Sequence, residues 1–238
     1  MGEKTADESP EPNRAFIPAL RFGVLTPTYD TVIRLTTRER TVKGMLLDLA
    51  HLERASRLLD VGCGTGTFVI EAKRRYPHLD VVGVDPDPDV LARGRAKARR
   101  ARVKVSFLTG SAADLPTLDH AFDRVTSSLV FHHLTAEQKR QAASEIARTL
   151  ADGGEFHLAD WVQPTNLLMR MLFVSVRLLD GAETTRDHAE GRLVHLLESG
   201  GLVDVVQHRT LATAAGTIGL ISANSAMAAE VQVGGCGH

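Results

Sequence analysis

Hydrophobic positions along the chain fall into short β-branched runs separated by longer segments of helical spacing, and this alternation begins at Arg57. Residues 57–62 form an apolar run ending on glycine and read as a buried strand. Residues 66–76 carry helical spacing until Pro77 stops them. Residues 80–85 predict a second strand, closed by the turn-rich Asp85-Pro86-Asp87-Pro88. Residues 88–102 predict a helix with proline in its first turn and arginines toward its end. Strands follow at 104–109 and 122–130, then a long helix at 135–150. Asp152-Gly153-Gly154 predicts a turn into a fifth strand, 155–159. Strands that are apolar on both faces and alternate with helices imply a parallel sheet covered on both sides. Ahead of this core, residues 15–53 read as helical. Behind it comes a helix at 188–199 with Leu193, Leu196 and Leu197, ended by Gly200-Gly201. Two extended runs, 202–210 and 216–223, predict an antiparallel pair at the sheet edge.

No repeat or linker interrupts this pattern, so one domain is expected over residues 15–226. It would have a helical cap at 15–56 and an insertion at 162–187, between a polar leader (1–14) and a flexible tail (227–238). With 238 residues the chain can bury a substantial core. Its composition, 43% hydrophobic and 24% charged, is that of a globular protein. The formal net charge of −1 removes any global electrostatic case for nucleic acid or an anionic membrane. Cys63 and Cys236 make no disulfide framework, which places the protein in a reducing cytoplasm. No secretory signal or stretch long enough to span a bilayer is present, so a soluble protein is expected.

The chemistry concentrates in Leu58-Leu59-Asp60-Val61-Gly62-Cys63-Gly64-Thr65-Gly66-Thr67. A strand enters a loop with glycine at every second position and leaves into a helix, the place where open α/β sheets bind nucleotides. A dinucleotide loop is spaced G-x-G-x-x-G, whereas position 67 here is threonine; a phosphate loop would end in Gly-Lys-Ser/Thr. Asp60 before the loop suits a ligand carrying an ammonium group better than a pyrophosphate. Asp85 ends the next strand, about 20 residues past the loop, where a carboxylate accepts ribose hydroxyls. Asp114, in Gly110-Ser111-Ala112-Ala113-Asp114-Leu115-Pro116 after the third strand, can accept from an exocyclic amine. Together they outline a nucleoside with a cationic tail.

These segments, with Phe122-Asp123-Arg124-Val125 and the Leu-Ala-Asp-Gly-Gly-Glu turn into strand five, resemble class I S-adenosylmethionine-dependent methyltransferases. Phe131-His132-His133-Leu134, Glu145-Ile146-Ala147-Arg148 and Thr26-Pro27-Thr28-Tyr29-Asp30 resemble the ubiquinone and menaquinone biosynthesis branch. The resemblance implies a Rossmann-like α/β fold: a seven-stranded, mostly parallel sheet with helices on both faces and an antiparallel last strand. It implies S-adenosyl-L-methionine as cofactor, S-adenosyl-L-homocysteine as product, and methyl transfer to a small apolar molecule. The alternative is a non-catalytic cofactor-binding module or partner subunit of the same fold. Asp60, Gly62, Cys63, Gly64 and Gly66 would surround the methionyl part. Asp85 would take the ribose and Asp114 the adenine, with Pro86 or Asp87 flanking and Ala113 also at the cofactor. Ser127 and Ser128 would line the sulfonium, and Tyr29 would close the cofactor from the N-terminal side.

His132, His133 and Asp160 are the candidate bases, since a proton must leave an oxygen, nitrogen or carbon nucleophile. Each of the histidines is alternatively structural. His157 lies within strand five and reads as buried, and Asp160 and Trp161 end that strand at the ligand edge. The seven Lys and Arg residues in 93–104 read as the solvated face of a helix rather than a nucleic-acid site, for no aromatic residues accompany them. Residues 167–179 predict an apolar helix, read as a lid over an apolar pocket; core packing and membrane-surface contact are the other readings. No metal is expected, Cys236 and His238 on the tail being too few to make a site.

Overall fold

The computed structural model describes residues 38–118 and 121–225, with the backbone alone at 175, 179 and 180. Within it lie seven strands: β1 (Arg57–Val61), β2 (Asp80–Asp85), β3 (Ser106–Thr109), β4 (Phe122–Ser128), β5 (Leu150–Trp161), β6 (Leu202–Thr213) and β7 (Gly216–Ser225). The helices are α1 (Glu39–Leu49), α2 (Thr67–Arg75), α3 (Pro88–Ala101), α4 (Ala136–Thr149), α5 (Leu167–Asp180), α6 (Arg186–Ala189) and α7 (Leu193–Ser199). The expected leader, the tail and most of the N-terminal cap, with Tyr29, Cys236 and His238, lie outside the described residues.

The sheet order is β3-β2-β1-β4-β5-β7-β6. β1 pairs in parallel with β2 and β4, and β4 with β5, while β7 runs antiparallel to both β5 and β6. The expected late antiparallel pair is present, with β7 inserted between β5 and the edge strand β6. The strand order reverses between β1 and β4, and a crevice opens outside their carboxyl ends at such a point.

Successive strand residues face opposite layers, so each strand must be apolar on both sides. Leu58 joins a core with Val42 and Leu46 of α1, Phe68 of α2, Leu91 of α3 and Phe173 of α5. Leu59 joins the other, with Ala142 and Ile146 of α4 and Leu193 and Leu197 of α7. Caps set the helix starts. Asp87 accepts from the Asp89 and Val90 N–H groups ahead of α3, and Thr135 and Gln138 form a capping box on α4. The Asn166 side chain caps α5 at Met169 N, 2.9 Å.

Three expectations need correction. The turn at 152–154 is absorbed into β5: the register jumps from Phe122↔Leu150 to Arg124↔Glu155, so the extra residues form a bulge inside a longer strand. The expected 188–199 helix is two short ones, because Gly191 at φ +72° breaks it between α6 and α7. The 15–53 helix, where described, stops at α1 and resumes as a single 3₁₀ turn, Leu52–Arg54, after His51 at φ 45°. No helix among the described residues is long and apolar enough to cross a membrane.

Candidate active site

The β1–α2 loop is built against the end of β2. Gly62 N and Cys63 N both donate to Val84 O (2.8 and 2.9 Å), and Gly64 N donates to Asp85 Oδ2 (2.9 Å). Gly62 adopts φ +72°, and a Cβ there would lie 2.3 Å from a Val130 methyl, so backbone and side chain meet where only glycine fits. Gly64, at φ +55°, differs: a Cβ on it would meet nothing within 4 Å. That open side of the loop is where a ligand can lie against bare backbone.

Three carboxylates stand at or just beyond the ends of β1, β2 and β3, each with its own environment. Asp60 is buried, and Thr126 Oγ1 donates to it at 2.8 Å. Burial pushes its pKa up to about 7, against the pull of the Thr126 hydrogen bond and the Lys43 charge. A buried carboxyl so short of compensation fits a cationic partner such as an ammonium group. Asp85 accepts Gly64 N on one oxygen and Asp87 N on the other (2.9 and 3.0 Å), leaving a lone pair on each for a vicinal diol. Burial raises its pKa while those two N–H groups restrain the rise. Asp114 is exposed, on a tight turn closed by reciprocal backbone bonds between Ser111 and Asp114. Ala113 beneath it is buried, and its N–H donates to Ser111 Oγ at 3.2 Å. The chemistry of these residues suits an adenosyl group with an amino-acid tail.

A second constellation stands at the ends of β4 and β5. Asp160, fully enclosed, accepts Val130 N (3.0 Å) and Phe131 N (2.8 Å) on Oδ2, and His132 Nδ1 (2.8 Å) and Trp161 N (2.7 Å) on Oδ1. Burial alone would raise its pKa, but the charge and hydrogen bond of His132, with His188 and the Trp161 N–H, hold the carboxyl well below the usual range. An ionised Asp160 requires His132 Nδ1 to carry the proton, which leaves Nε2 as the acceptor in the neutral ring. His133 packs against His132 with ring centroids 4.0 Å apart and planes tilted by 43°, and stands exposed. His188 of α6 approaches His132 edge to face at 6.3 Å, and its Nδ1 bonds Trp161 O at 2.6 Å. Burial pushes His188 down to about 4, and its Nε2 is enclosed without a hydrogen-bond partner among the described residues.

The sequence-predicted residues divide accordingly. Gly64 and Asp85 meet at the loop, with Asp60 near the end of β1 and Asp114 on the turn after β3, while His132, His133 and Asp160 cluster at the ends of β4 and β5. Asp160 is corrected from base to support, since four N–H donors enclose it. Ser127 is buried and its hydroxyl donates to Val61 O at 2.8 Å, binding β4 to β1 rather than facing a ligand. Cys63 is buried, its pKa raised to far above the usual thiol range by enclosure and then by Asp60 and Asp85. Ser128 and Pro86 are part-exposed beside the loop. His157 is buried, as expected. Sequence reasoning missed Thr126, Val130, His188 and Lys139. Lys139 Nζ, also buried, holds α6 through Thr184 O (2.6 Å) and Asp187 Oδ2 (3.2 Å). Leu129, in the left-handed region at φ 58°, is a strained non-glycine residue where β4 meets the crevice.

The model of a family described as "Methyltransferase domain" matches residues 58–154. The chain is 34% identical over 145 residues to a demethylmenaquinone methyltransferase of Thermus thermophilus, covering 60% of this chain and 65% of that one. It is 30% identical to a ubiquinone/menaquinone biosynthesis C-methyltransferase of Syntrophotalea carbinolica, covering 64% of each. The chain thus spans just under two thirds of these relatives' length. Among solved structures, the YcgJ protein of Bacillus subtilis superposes with a TM-score of 0.59 at 24% identity over 72% of each chain. Magnesium protoporphyrin IX methyltransferase of Synechocystis, solved with bound S-adenosylhomocysteine, gives 0.61 at 20% identity over 82% of this chain and 86% of that one. These two likenesses establish the fold.

Proposed function

We propose that this chain is a class I S-adenosylmethionine-dependent methyltransferase that transfers the cofactor's methyl group to a small apolar acceptor bearing an ionisable hydroxyl. The observation that carries the reading is Gly64, open on one side and bonded through its N–H to Asp85 at the end of β2, with Asp60 near the end of β1 and Asp114 on the turn after β3. The cofactor supplies an already activated methyl on a positively charged sulfur, so the protein's work is alignment and exclusion of water. Asp60 holds the ammonium, Asp85 the ribose diol, and Asp114 the adenine amine. His132, its tautomer fixed by Asp160, would take the acceptor's proton on Nε2 as the acceptor is methylated. General-base help of this kind contributes about 10²- to 10⁴-fold.

The acceptor class is carried over from relatives named for demethylmenaquinone and for ubiquinone/menaquinone biosynthesis. Helix α5 supports the apolar reading, because Phe173 meets Trp161 at 5.7 Å and Trp161 meets His132 at 6.3 Å. We place α5 behind the acceptor site, its buried Phe173 backing Trp161, and the reaction in the cytoplasm. The test is transfer of a tritiated methyl from the cofactor to a panel of naphthohydroquinones, phenols and thiols. Label in a hydroquinone or phenol, reduced at least 100-fold in His132→Asn, is the expected result. A protein that binds the cofactor yet labels no acceptor would be the non-catalytic module instead.

A further inference from the structure

Helix α5 is apolar on two opposite faces. Met169, Phe173 and Val176 are buried in the core, as an inserted helix requires. Leu167, Met171, Val174 and Leu178, spaced i, i+4, i+7, i+11, form one outward ridge with exposures of 79, 73, 48 and 80%; Leu168 beside them is 61% exposed. Of seven exposed large hydrophobics among the described residues, these five lie on one helix, so the exposure is a patch rather than scatter. Along one flank of the ridge stand Arg170 and Arg177, also exposed. They open onto a cleft of about 160 Å³, lined further by Pro164, Val174, Arg186 and Glu190. Glu190 is taken up by Arg186 and Arg192 (2.8 and 3.0 Å), whereas no carboxylate among the described residues lies within ion-pair distance of Arg170 or Arg177.

We infer that α5 docks this protein on an anionic phospholipid surface, with the Leu167–Leu178 ridge among the acyl chains and Arg170 and Arg177 on lipid phosphates. Leucine and methionine on one side, with guanidinium groups reaching up beside them, is the pattern of a helix lying in the interface plane. At 14 residues the helix is about 21 Å long, too short to span a bilayer, so the contact is peripheral. A second copy of the chain fits the ridge less well. A two-fold contact through this face would bring four guanidinium groups together, and Glu190 beside them is already paired with Arg186 and Arg192. Docking through α5 would hold the Trp161–His132 end of the site against the layer in which an apolar acceptor dissolves. That use rests on the function proposed above; the lipid contact does not.

The test is flotation of the full chain with vesicles of phosphatidylglycerol and phosphatidylcholine, and of phosphatidylcholine alone. The wild type is expected to float with the mixed vesicles. A triple variant, Leu167→Ser, Met171→Ser and Leu178→Ser, should bind them at least tenfold more weakly, with an unchanged melting temperature. Arg170→Gln with Arg177→Gln should lose the preference for phosphatidylglycerol. Wild type that stays unbound, or a triple variant that binds as well as wild type, overturns the inference. A dimer seen by light scattering that the serine variant dissolves, with no vesicle binding, overturns it in favour of self-association. Binding of S-adenosylhomocysteine by each variant reports separately on the cofactor site, so failure of the lipid contact and failure of the proposed function are distinguishable.

Discussion

Replacing Asp160 by asparagine separates positioning from fold. The carboxylate accepts four N–H groups at 2.7–3.0 Å in a fully buried position. An asparagine can keep its carbonyl oxygen on Val130 N and Phe131 N, which turns its NH₂ toward His132 and Trp161. His132 can answer by moving its proton to Nε2 and accepting on Nδ1, but the Trp161 N–H then faces a donor. Leaving that one buried N–H unpaired costs about 2–3 kcal/mol. For a domain of this size that corresponds to a melting temperature lower by about 5–10 °C. The larger consequence is chemical. With its proton on Nε2, His132 presents a donor where a base is needed, and kcat should fall about 100-fold or more. S-adenosylhomocysteine affinity should hold within about threefold, since Asp160 touches none of Asp60, Asp85 or Asp114; RT sets that limit at under 1 kcal/mol. The assay is kcat, cofactor affinity and melting temperature on one preparation, beside His132→Asn. If Asp160→Asn melts lower but keeps kcat within threefold, the tautomer argument is wrong and the carboxylate is only structural.

Further outcomes follow from individual contacts. Gly64→Ala should fold, losing about 1–2 kcal/mol for its positive φ, yet lose at least tenfold in S-adenosylhomocysteine affinity by calorimetry. Gly62→Ala, with its Cβ forced to 2.3 Å from Val130, should lower the melting temperature more than Gly64→Ala does. His188 is held at about 4, below its unfolded value near 6.5, so the unfolded chain binds the proton first. Stability should therefore fall as pH drops from about 6.5 toward 4, by up to about 3 kcal/mol, and His188→Gln should flatten that slope in pH-dependent melting. Lys139→Met removes the buried donor to Thr184 O and Asp187, leaving Asp187 to Arg192 at 2.9 Å. Stability should fall by about 2–3 kcal/mol, with faster amide exchange in residues 181–192 than elsewhere.

The parts legible in the sequence are those written in local spacing. Gly62, Gly64 and Asp60 lie within one turn of chain, and Asp85 and Asp114 each follow a strand that its β-branched run announces. Their convergence follows once the strands are parallel. The hydroxyl of Ser127 could not be assigned this way, because its direction depends on the pairing Val61↔Ser127 rather than on its neighbours in sequence. Asp160 reads as a free carboxylate at a strand end until β4 and β5 are set side by side and the 130–132 turn closes over it. His188 and Lys139 are joined to the site only through the fold, His188 across 27 residues to Trp161 and Lys139 across 48 to Asp187. The break between α6 and α7 was marked in the sequence by Gly191, inside a run whose leucine spacing outweighed it. The outward face of α5 was hidden for a different reason: helical periodicity cannot separate a core face from an exposed one when both are apolar.

Calorimetric titration of S-adenosylhomocysteine into the wild-type protein and Asp85→Ala tests the central claim most directly. Saturable wild-type binding, weakened at least tenfold when the two oxygens facing Gly64 N and Asp87 N are removed, is the result predicted. A well-folded wild type that gives no heat of binding would contradict the cofactor assignment and everything built on it.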